Sequence, residues 1–322
     1  MRTIGLALAA LALGTATAAA PAAAEPFRFV ALGDMPYGPK DAVYPPFEAL
    51  IDRVNALDPA FTIHVGDIKA GGGLCDDALL AEQLAFMSRF QSALVYTPGD
   101  NEWTDCHREA AGGYDPIERL DQIRQMFFPG PKSLGQAPIA LERQSEVFEA
   151  YAPYVENARF TQEGVAFVTV HVVGSNNNFE PRDPKAVQEF FARDKANVAW
   201  TVDSLAKAKS EGAKAAVVAI HADVFDAKTY YADFPRHSGH AAWVKAFVDA
   251  AKDFGRPVLL IHGDSHVFRI DRPFKDDRRT VENIVRLEVF GAQEMHAVEV
   301  SVDPDSPDPF AFRPILNPYL AK

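Results

Sequence analysis

Apolar residues along the chain follow two patterns that alternate with one another. Short and nearly continuous apolar runs are typical of strands that are covered on both faces. Six such runs are Phe27–Leu32, Phe61–Val65, Ala93–Tyr96, Val165–Val173, Ala215–Ile220 and Pro257–His262. Between them, apolar residues recur every three or four positions, which predicts amphipathic helices. This succession predicts an α/β fold built from β-α units.

The C-terminal part shows a different pattern. Val298, Val300 and Val302 alternate with smaller or polar residues, and residues 284–289 alternate in the same way. A period of two residues predicts strands with one face near water, so we expect added antiparallel strands after the β-α units. No break in composition divides the chain, and we therefore expect a single domain over residues 25–318.

The first 24 residues have the features of an export signal. Arg2 is followed by the apolar run Ile4–Leu13, and Ala22-Ala23-Ala24 fits the A-x-A cleavage pattern. The apolar run is too short to span a bilayer, although an uncleaved N-terminal anchor is the alternative. We therefore expect residues 1–24 to be a signal peptide. The mature protein would be exported, to the periplasm if the source is Gram-negative and otherwise by secretion.

The net charge of the chain argues against two classes of binding partner. The 322-residue chain has 44 acidic side chains against 32 Lys and Arg, which gives a net charge of −12. An acidic surface argues against binding of nucleic acids or anionic membranes. We therefore expect no nucleic-acid-binding surface, and the short length of the apolar run Ile4–Leu13 predicts no membrane span after signal cleavage.

The first three predicted strands all lead into a Gly-Asp pair. The aspartates are Asp34, Asp67 and Asp100. A single Asp after a strand is more often a turn or helix N-cap residue. Three of them at the carboxyl edge of one parallel sheet would repel each other unless a cation lay among them. A hard metal ion is the simplest cation that would fit.

Histidines follow two of the later strands. One strand leads into His221, and the last leads into His262-Gly263-Asp264-Ser265-His266. A mixed set of His and Asp ligands suits zinc, iron or manganese better than calcium. The sequence therefore predicts one metal centre at the carboxyl ends of five strands.

The order of these blocks resembles the calcineurin-like metallophosphoesterases, a superfamily that includes the purple acid phosphatases. The chain reads Gly-Asp, Gly-Asp, Gly-Asp-Asn-Glu, His, Gly-Asp-Ser-His over roughly residues 27–300. The family pattern is Asp-x-His, Gly-Asp, Gly-Asn-His-Asp/Glu, His, Gly-His-x-His. The resemblance implies two mixed β-sheets packed face to face with helices outside, a four-layer αββα sandwich. It also implies two divalent or trivalent metal ions, either Mn, Fe or Zn.

The resemblance assigns roles to six residues of this chain. Asp34 and His266 match ligands of the first metal, Asp67 matches the aspartate that bridges both metals, and His221 matches a ligand of the second. Asp100 stands where the family has a metal-binding Asn, and Asp264 stands where it has the other His of Gly-His-x-His.

Two departures from the family pattern bear on activity. The His of Asp-x-His is Pro36 here, so the first metal loses a ligand, for which Tyr37 would be a weak substitute. The catalytic His is Asn101 here. An Asn donates a hydrogen bond to a phosphate oxygen but is no general acid near neutral pH.

The remaining polar residues have weaker signals. Lys69, two residues after Asp67, would pair with the phosphate, or else it is a solvated loop lysine. Tyr37 is the other candidate for substrate contact. The run Asn176–Asn178 follows a strand and is predicted to cap a loop.

The leading interpretation is an exported phosphatase or phosphodiesterase. It would hydrolyse phosphate esters with a metal-bound hydroxide at a binuclear Asp/His site. One alternative, favoured by Pro36 and Asn101, is a degenerate metallophosphoesterase scaffold that serves as a binding or structural protein. Another is a different metal hydrolase, such as a deacetylase, although the order of the five blocks argues against it.

The two cysteines lie in loops that leave the same predicted sheet edge. Cys75 follows Asp67, and Cys106 follows Asp100. An exported protein permits a disulfide between them, so we expect one. The alternatives are two free thiols or soft metal ligands.

Overall fold

The computed structural model describes residues 24–320, apart from 226–229, 232–233 and 236–237, with the backbone alone for 230–231 and 234–235. The expected signal peptide lies outside the described residues, except for Ala24. Among the described residues, no helix is both long enough and apolar enough to cross a membrane.

Seventeen strands and seven helices are assigned within the described residues. The strands are β1 (Phe27–Leu32), β2 (Phe61–His64), β3 (Ala93–Tyr96), β4 (Leu134–Gly135), β5 (Glu142–Arg143), β6 (Ala158–Gln162), β7 (Val165–Thr169), β8 (Ala215–Ala219), β9 (Tyr230–Tyr231), β10 (Phe234–Pro235), β11 (Val258–His262), β12 (Arg269–Asp271), β13 (Lys275–Asp276), β14 (Arg279–Thr280), β15 (Ile284–Glu288), β16 (Ala297–Val302) and β17 (Phe310–Ile315). The helices are α1 (Lys40–Asn55), α2 (Asp77–Met87), α3 (Pro116–Phe127), α4 (Gln144–Val147), α5 (Gly174–Asn177), α6 (Pro184–Ser210) and α7 (Ala241–Phe254). Of these, α5 is a short turn whose residues 175–177 have left-handed rather than α-helical backbone angles. Short 3₁₀ turns cover Thr104–His107, Glu109–Ala111 and Glu149–Tyr151.

Two mixed sheets form the centre of the structure. The first has the strand order β17-β16-β1-β2-β3-β4, and the second has the order β12-β15-β11-β8-β7-β6-β5. Strands β1, β2 and β3 are parallel in the first sheet, and β7, β8, β11 and β15 are parallel in the second. The other strands of both sheets pair antiparallel with their neighbours.

Three apolar layers show how the sheets and helices pack. One layer lies between the two sheets and contains alternate residues of their strands, including Phe29, Phe61 and Phe167, whose rings contact one another. A second layer packs α1, α2 and α3 against the outer face of the first sheet. A third packs α6 and α7 against the outer face of the second. The predicted four-layer arrangement of two face-to-face sheets with helices outside is therefore confirmed.

The prediction for residues 284–289 was right about pairing on one side and wrong about exposure. Strand β15 pairs antiparallel with β12 and parallel with β11, and both of its faces are covered. Its polar residues are buried because each has a partner. Arg286 bonds Asp271 through Nε at 2.7 Å, and Glu288 accepts a hydrogen bond from the Val267 amide. Strand β16 is antiparallel to β1 as expected, but its Glu299 is also buried, in an ion pair with Arg313.

The parallel strands of both sheets direct the predicted motifs to one edge. The Gly-Asp pairs follow β1, β2 and β3, and the His-containing motifs follow β8 and β11. Because the carboxyl ends of parallel strands share an edge, residues far apart in sequence meet there.

Candidate metal centre

The six predicted metal ligands lie close together at the carboxyl ends of these strands. Asp34, Asp67 and His221 present ligand atoms that all lie within 4.8 Å of one another. Asp100, His221 and Asp264 form a second such group. His266 joins the cluster through its Nε2 atom, which is 3.5 Å from Oδ1 of Asp34. The structure thus brings all six side chains into one site.

His221 is the residue that the two groups share. Its Nδ1 donates a hydrogen bond to the carbonyl oxygen of Val65 at 2.8 Å, because a carbonyl only accepts. Its Nε2 lies 3.3 Å from Oδ1 of Asp67 and 3.0 Å from Oδ1 of Asp100. A ring nitrogen has one lone pair and binds one ion. Any bridging role therefore falls to a carboxylate.

Three ligand atoms of the cluster are buried without a hydrogen-bond partner. They are Oδ2 of Asp34, Oδ1 of Asp100 and Nε2 of His221. Buried polar atoms nearly always have partners, so a cluster of exceptions needs an explanation. The two carboxylate oxygens are electron-pair donors, Nε2 of His221 becomes one when it loses its proton, and a metal cation is the partner that fits all three together. Carboxylates combined with imidazoles suit manganese, iron or zinc.

The backbone at the site is held in an unusual conformation. Asp34, Asp67, Asp264 and His266 all have left-handed backbone angles, with φ of 56°, 56°, 76° and 62°. Non-glycine residues in this region are uncommon and concentrate at functional sites. Gly99 is required beside them, because a Cβ at that position would overlap the Asp67 carboxylate.

The carboxylates and His221 shift one another's pKa values. Burial raises the pKa of Asp67 well above its usual range. Burial and the charge of Asp100 raise the pKa of Asp264 to about 7. Burial opposes protonation of His221, but the charges of Asp67 and its other acidic neighbours raise its pKa well above the ordinary value. Without a cation to balance the negative charge of the carboxylates, the cluster thus binds protons instead.

Tyr37 and Asn101 both donate hydrogen bonds to the Asp67 carboxylate. The Tyr37 hydroxyl donates to Oδ2 of Asp67 at 2.6 Å. The Asn101 side-chain amide donates to that same oxygen and to the Tyr37 hydroxyl. The Asn101 backbone amide donates to Oδ1 of Asp67 at 3.0 Å. Both side-chain donors of Asn101 are therefore engaged by Asp67 and Tyr37.

Lys69 is buried rather than solvated. Only 2% of the residue is exposed, and its Nζ donates to the carbonyl oxygen of Ala70 at 3.0 Å. Burial lowers the pKa of its ammonium group, while Glu102 and Asp67 oppose that shift. The alternative of a solvated loop lysine is therefore wrong.

A disulfide joins Cys75 to Cys106. Their Cα atoms lie 5.7 Å apart, within the range of about 4.4–6.8 Å that the bond requires. The bond links the loop after Asp67 to the loop after Asp100, and both cysteines are buried against Ala111 and Tyr114.

Sequence reasoning missed two residues that contact the metal ligands. Ser175 Oγ lies 2.8 Å from Oδ2 of Asp100 and 2.8 Å from Oδ1 of Asp105. Burial and the charge of Asp100 raise the pKa of Asp105 to about 6. The signal in the sequence was the position of Ser175 two residues after the apolar run Val165–Val173, before the residues that were predicted only as loop caps.

Comparison with known proteins gives structural neighbours but no close relatives. No protein-family model matches the chain, and no curated protein matches it. GAP50, the anchor in the inner membrane complex of Plasmodium, is 12% identical, with a TM-score of 0.49 over 91% of this chain and 89% of that one. Purple acid phosphatase PPD1 from yellow lupin (Lupinus luteus) seeds is 12% identical, with a TM-score of 0.48 over 91% of this chain and 54% of that one. TT1561 of Thermus thermophilus is 8% identical, with a TM-score of 0.48 over 90% of this chain and 98% of that one.

All three TM-scores lie below 0.5, so the fold assignment depends on this chain's own architecture. Two mixed sheets pack face to face between helical layers. The Asp and His residues of the five motifs lie together at the carboxyl ends of their strands. The chain therefore has a metallophosphoesterase-like fold.

Proposed function

We propose that the protein is an exported, metal-dependent hydrolase of small phosphate esters. The observation that carries the proposal is the cluster of partnerless ligand atoms on Asp34, Asp100 and His221, all buried at one sheet edge. The order of these residues along the chain matches the metallophosphoesterase motifs. The disulfide supports export, because such bonds persist in oxidising compartments.

The residues divide into two candidate sets of ligands. Asp34, Asp67 and His266 would hold one ion. Asp67, Asp100, His221 and Asp264 would hold the other. Bound ions of this kind supply Lewis-acid chemistry, in which phosphoryl oxygens are polarised and the pKa of water is lowered.

The chain's own residues would orient the substrate and stabilise its charge. Lys69 lies two residues from Asp67 and offers an ammonium group to a phosphoryl oxygen. Asn101 offers an amide donor when one of its bonds to Asp67 and Tyr37 is released. Since an Asn supplies no proton near neutral pH, esters with acidic leaving groups, such as aryl phosphates, should react faster than alkyl phosphates.

A degenerate scaffold that binds metal without catalysis is the second candidate. The observation in its favour is that both side-chain donors of Asn101 are already engaged. Pro36 also stands where the family has a ligand. In this case the metals would stabilise a surface for a binding partner.

The test is reconstitution of the protein from residue 25 onward. The protein is stripped with a chelator and reloaded separately with Mn²⁺, Zn²⁺ or iron. Metal content is measured by elemental analysis, and hydrolysis is assayed with aryl phosphate monoesters, diesters and acyl esters. We expect phosphate-ester hydrolysis that is lost on chelation and restored on reloading.

Other outcomes separate the alternatives. Metal-loaded protein that is inert towards all phosphate esters would favour the scaffold, and activity on acyl esters alone would indicate a different hydrolase. Lys69→Met should raise KM, whereas Lys195→Met, at an exposed helix position, is the matched control and should not.

A further inference from the structure

We infer that Ser175 is a positioning residue for the second metal position, because it fixes which oxygen of Asp100 faces His221. The inference rests on the proposed metal centre. It adds a residue that none of the sequence motifs contains.

The two carboxylate oxygens of Asp100 have different surroundings. Oδ2 accepts a hydrogen bond from Ser175 Oγ at 2.8 Å. Oδ1 is buried, has no hydrogen-bond partner, and lies 3.0 Å from Nε2 of His221. The last side-chain torsion of an Asp has broad minima, so a hydrogen bond to one oxygen is what fixes the orientation of the carboxylate. The Ser175 hydroxyl holds Oδ2 and thereby leaves Oδ1 as the ligand atom.

The backbone around Ser175 is strained in a way that places its hydroxyl at the site. Four consecutive residues, Ser175–Asn178, have φ between 48° and 60°. Left-handed conformation costs roughly 1–2 kcal/mol for a residue such as Ser175, whereas Asn tolerates it better. Strain of this kind persists only where surrounding contacts enforce it.

Contacts on both sides enforce this turn. Gly174 must lack a side chain, because a Cβ there would lie 2.5 Å from Oδ1 of Asp100 and 2.7 Å from Oδ1 of Asp264. Asn177 is held by Arg193, whose Nη1 donates to its Oδ1 at 2.6 Å. The turn is therefore built against the metal ligands on one side and anchored to α6 on the other.

A second carboxylate lies next to the same hydroxyl and competes with Asp100 for its proton. Oδ1 of Asp105 lies 2.8 Å from Ser175 Oγ, and Oδ2 of Asp105 pairs with Nη1 of Arg108 at 2.7 Å. A hydroxyl has one proton and serves one carboxylate at a time. Asp105 already has the Arg108 guanidinium as a partner, so the proton is available for Asp100.

The test measures metal affinity in two variants that remove the hydroxyl. Ser175→Ala keeps the Cβ atom, whereas Ser175→Gly also relieves the left-handed strain. Each protein is stripped and titrated with Zn²⁺ in competition with a chromogenic chelator, which gives a dissociation constant for each ion. We expect the constant of one ion to rise by about 10- to 100-fold in both variants, as for other residues that orient metal ligands. The other constant should stay unchanged.

Two controls distinguish this positioning role from a general loss of protein stability. Ser210→Ala removes a serine hydroxyl at the exposed end of α6 and should leave both constants unchanged. The thermal midpoint of metal-free Ser175→Gly should equal or exceed that of the wild type, since strain is relieved.

Each remaining outcome has a definite meaning. Unchanged constants in both variants would overturn the inference while leaving the proposed function intact. Weaker Zn²⁺ binding in Ser175→Ala, together with unchanged binding in Ser175→Gly, would assign the effect to the backbone. That result would also overturn the inference. Wild-type protein that binds no Zn²⁺ would overturn the inference and the metal-dependent function together.

Discussion

The Nε2 atom of His221 lies 3.0 Å from Oδ1 of Asp100, within the distance of an ion pair. The Nδ1 atom of the same ring is committed to the carbonyl oxygen of Val65. The surrounding carboxylates raise the pKa of His221 well above its ordinary value against the effect of burial. A metal ion must therefore displace a proton from this ring.

We predict that metal binding releases protons and weakens as the pH falls. The protonated ring has no lone pair for a metal, so raising the pH favours binding. Affinity for Zn²⁺ should rise by about tenfold per pH unit for each proton released. Calorimetric titration at pH 6, 7 and 8, in two buffers with different ionisation enthalpies, measures both effects. A dissociation constant that does not change with pH would contradict the prediction.

The two carboxylates Asp67 and Asp264 should differ in their effect on metal content. Asp67 is proposed to serve both ions, whereas Asp264 is proposed to serve one. Asp67→Asn should therefore remove more metal per chain than Asp264→Asn, as measured by elemental analysis of the folded proteins. Each substitution removes the same charge with little change of shape, so each is the control for the other. Equal losses would argue against a bridging role for Asp67.

Asn101 should affect turnover more than metal binding. Its side chain is the only one proposed to offer an amide donor to the phosphoryl group, and loss of such a donor typically lowers turnover by about 10²-fold or more. In Asn101→Ala the backbone amide that donates to Asp67 remains, so metal content should stay nearly intact. Steady-state kinetics with an aryl phosphate, normalised to bound metal, measures the effect. Unchanged kcat would exclude Asn101 from the reaction.

The Asp and His ligands could be predicted because their positions follow from topology alone. A residue that directly follows a buried parallel strand emerges at a known edge, so Asp34, Asp67 and His221 were placed without knowledge of any side-chain contact. The same reasoning predicted that Cys75 and Cys106 would approach each other.

Ser175 and Asp105 could not be predicted in this way. Their contact with Asp100 depends on a left-handed turn and a 3₁₀ turn, and neither conformation is dictated by the local sequence. The exposure of β15 was mispredicted for a related reason. Alternation identifies polar residues, but it does not show that Arg286 finds Asp271 inside the protein. Pairing between distant residues decides whether a polar face is solvated or buried.

His171 provides a prediction about stability that is independent of the metal centre. The ring is fully buried, and its Nδ1 lies 2.8 Å from Oε1 of Glu156. Burial lowers the pKa of His171 to about 4, although Glu156 opposes the shift. The unfolded state, with a pKa of about 6.5, therefore binds this proton at a higher pH than the folded state does. Stability from this group is present above pH 6.5 and is lost as the pH falls towards 4.

We expect wild-type protein to lose roughly 2 kcal/mol of unfolding free energy through this group between pH 7 and pH 5. His171→Gln keeps an amide donor but does not titrate, so its stability should fall less over the same interval. Urea unfolding of the metal-free proteins at both pH values measures the difference. His107→Gln, at an exposed position, is the control and should behave as the wild type. An identical pH dependence in His171→Gln would contradict the assignment.

The disulfide between Cys75 and Cys106 should stabilise the fold by restricting the unfolded chain. Closing this 31-residue separation corresponds to roughly 3–4 kcal/mol in the loop-entropy model. The double variant Cys75→Ala/Cys106→Ala should therefore unfold at a lower urea concentration than the oxidised wild type. A reducing agent should destabilise the wild type but leave the stability of the variant unchanged. The variant is therefore the control for other effects of the reducing agent. Two reactive thiols per chain in unfolded, unreduced wild type would refute the disulfide.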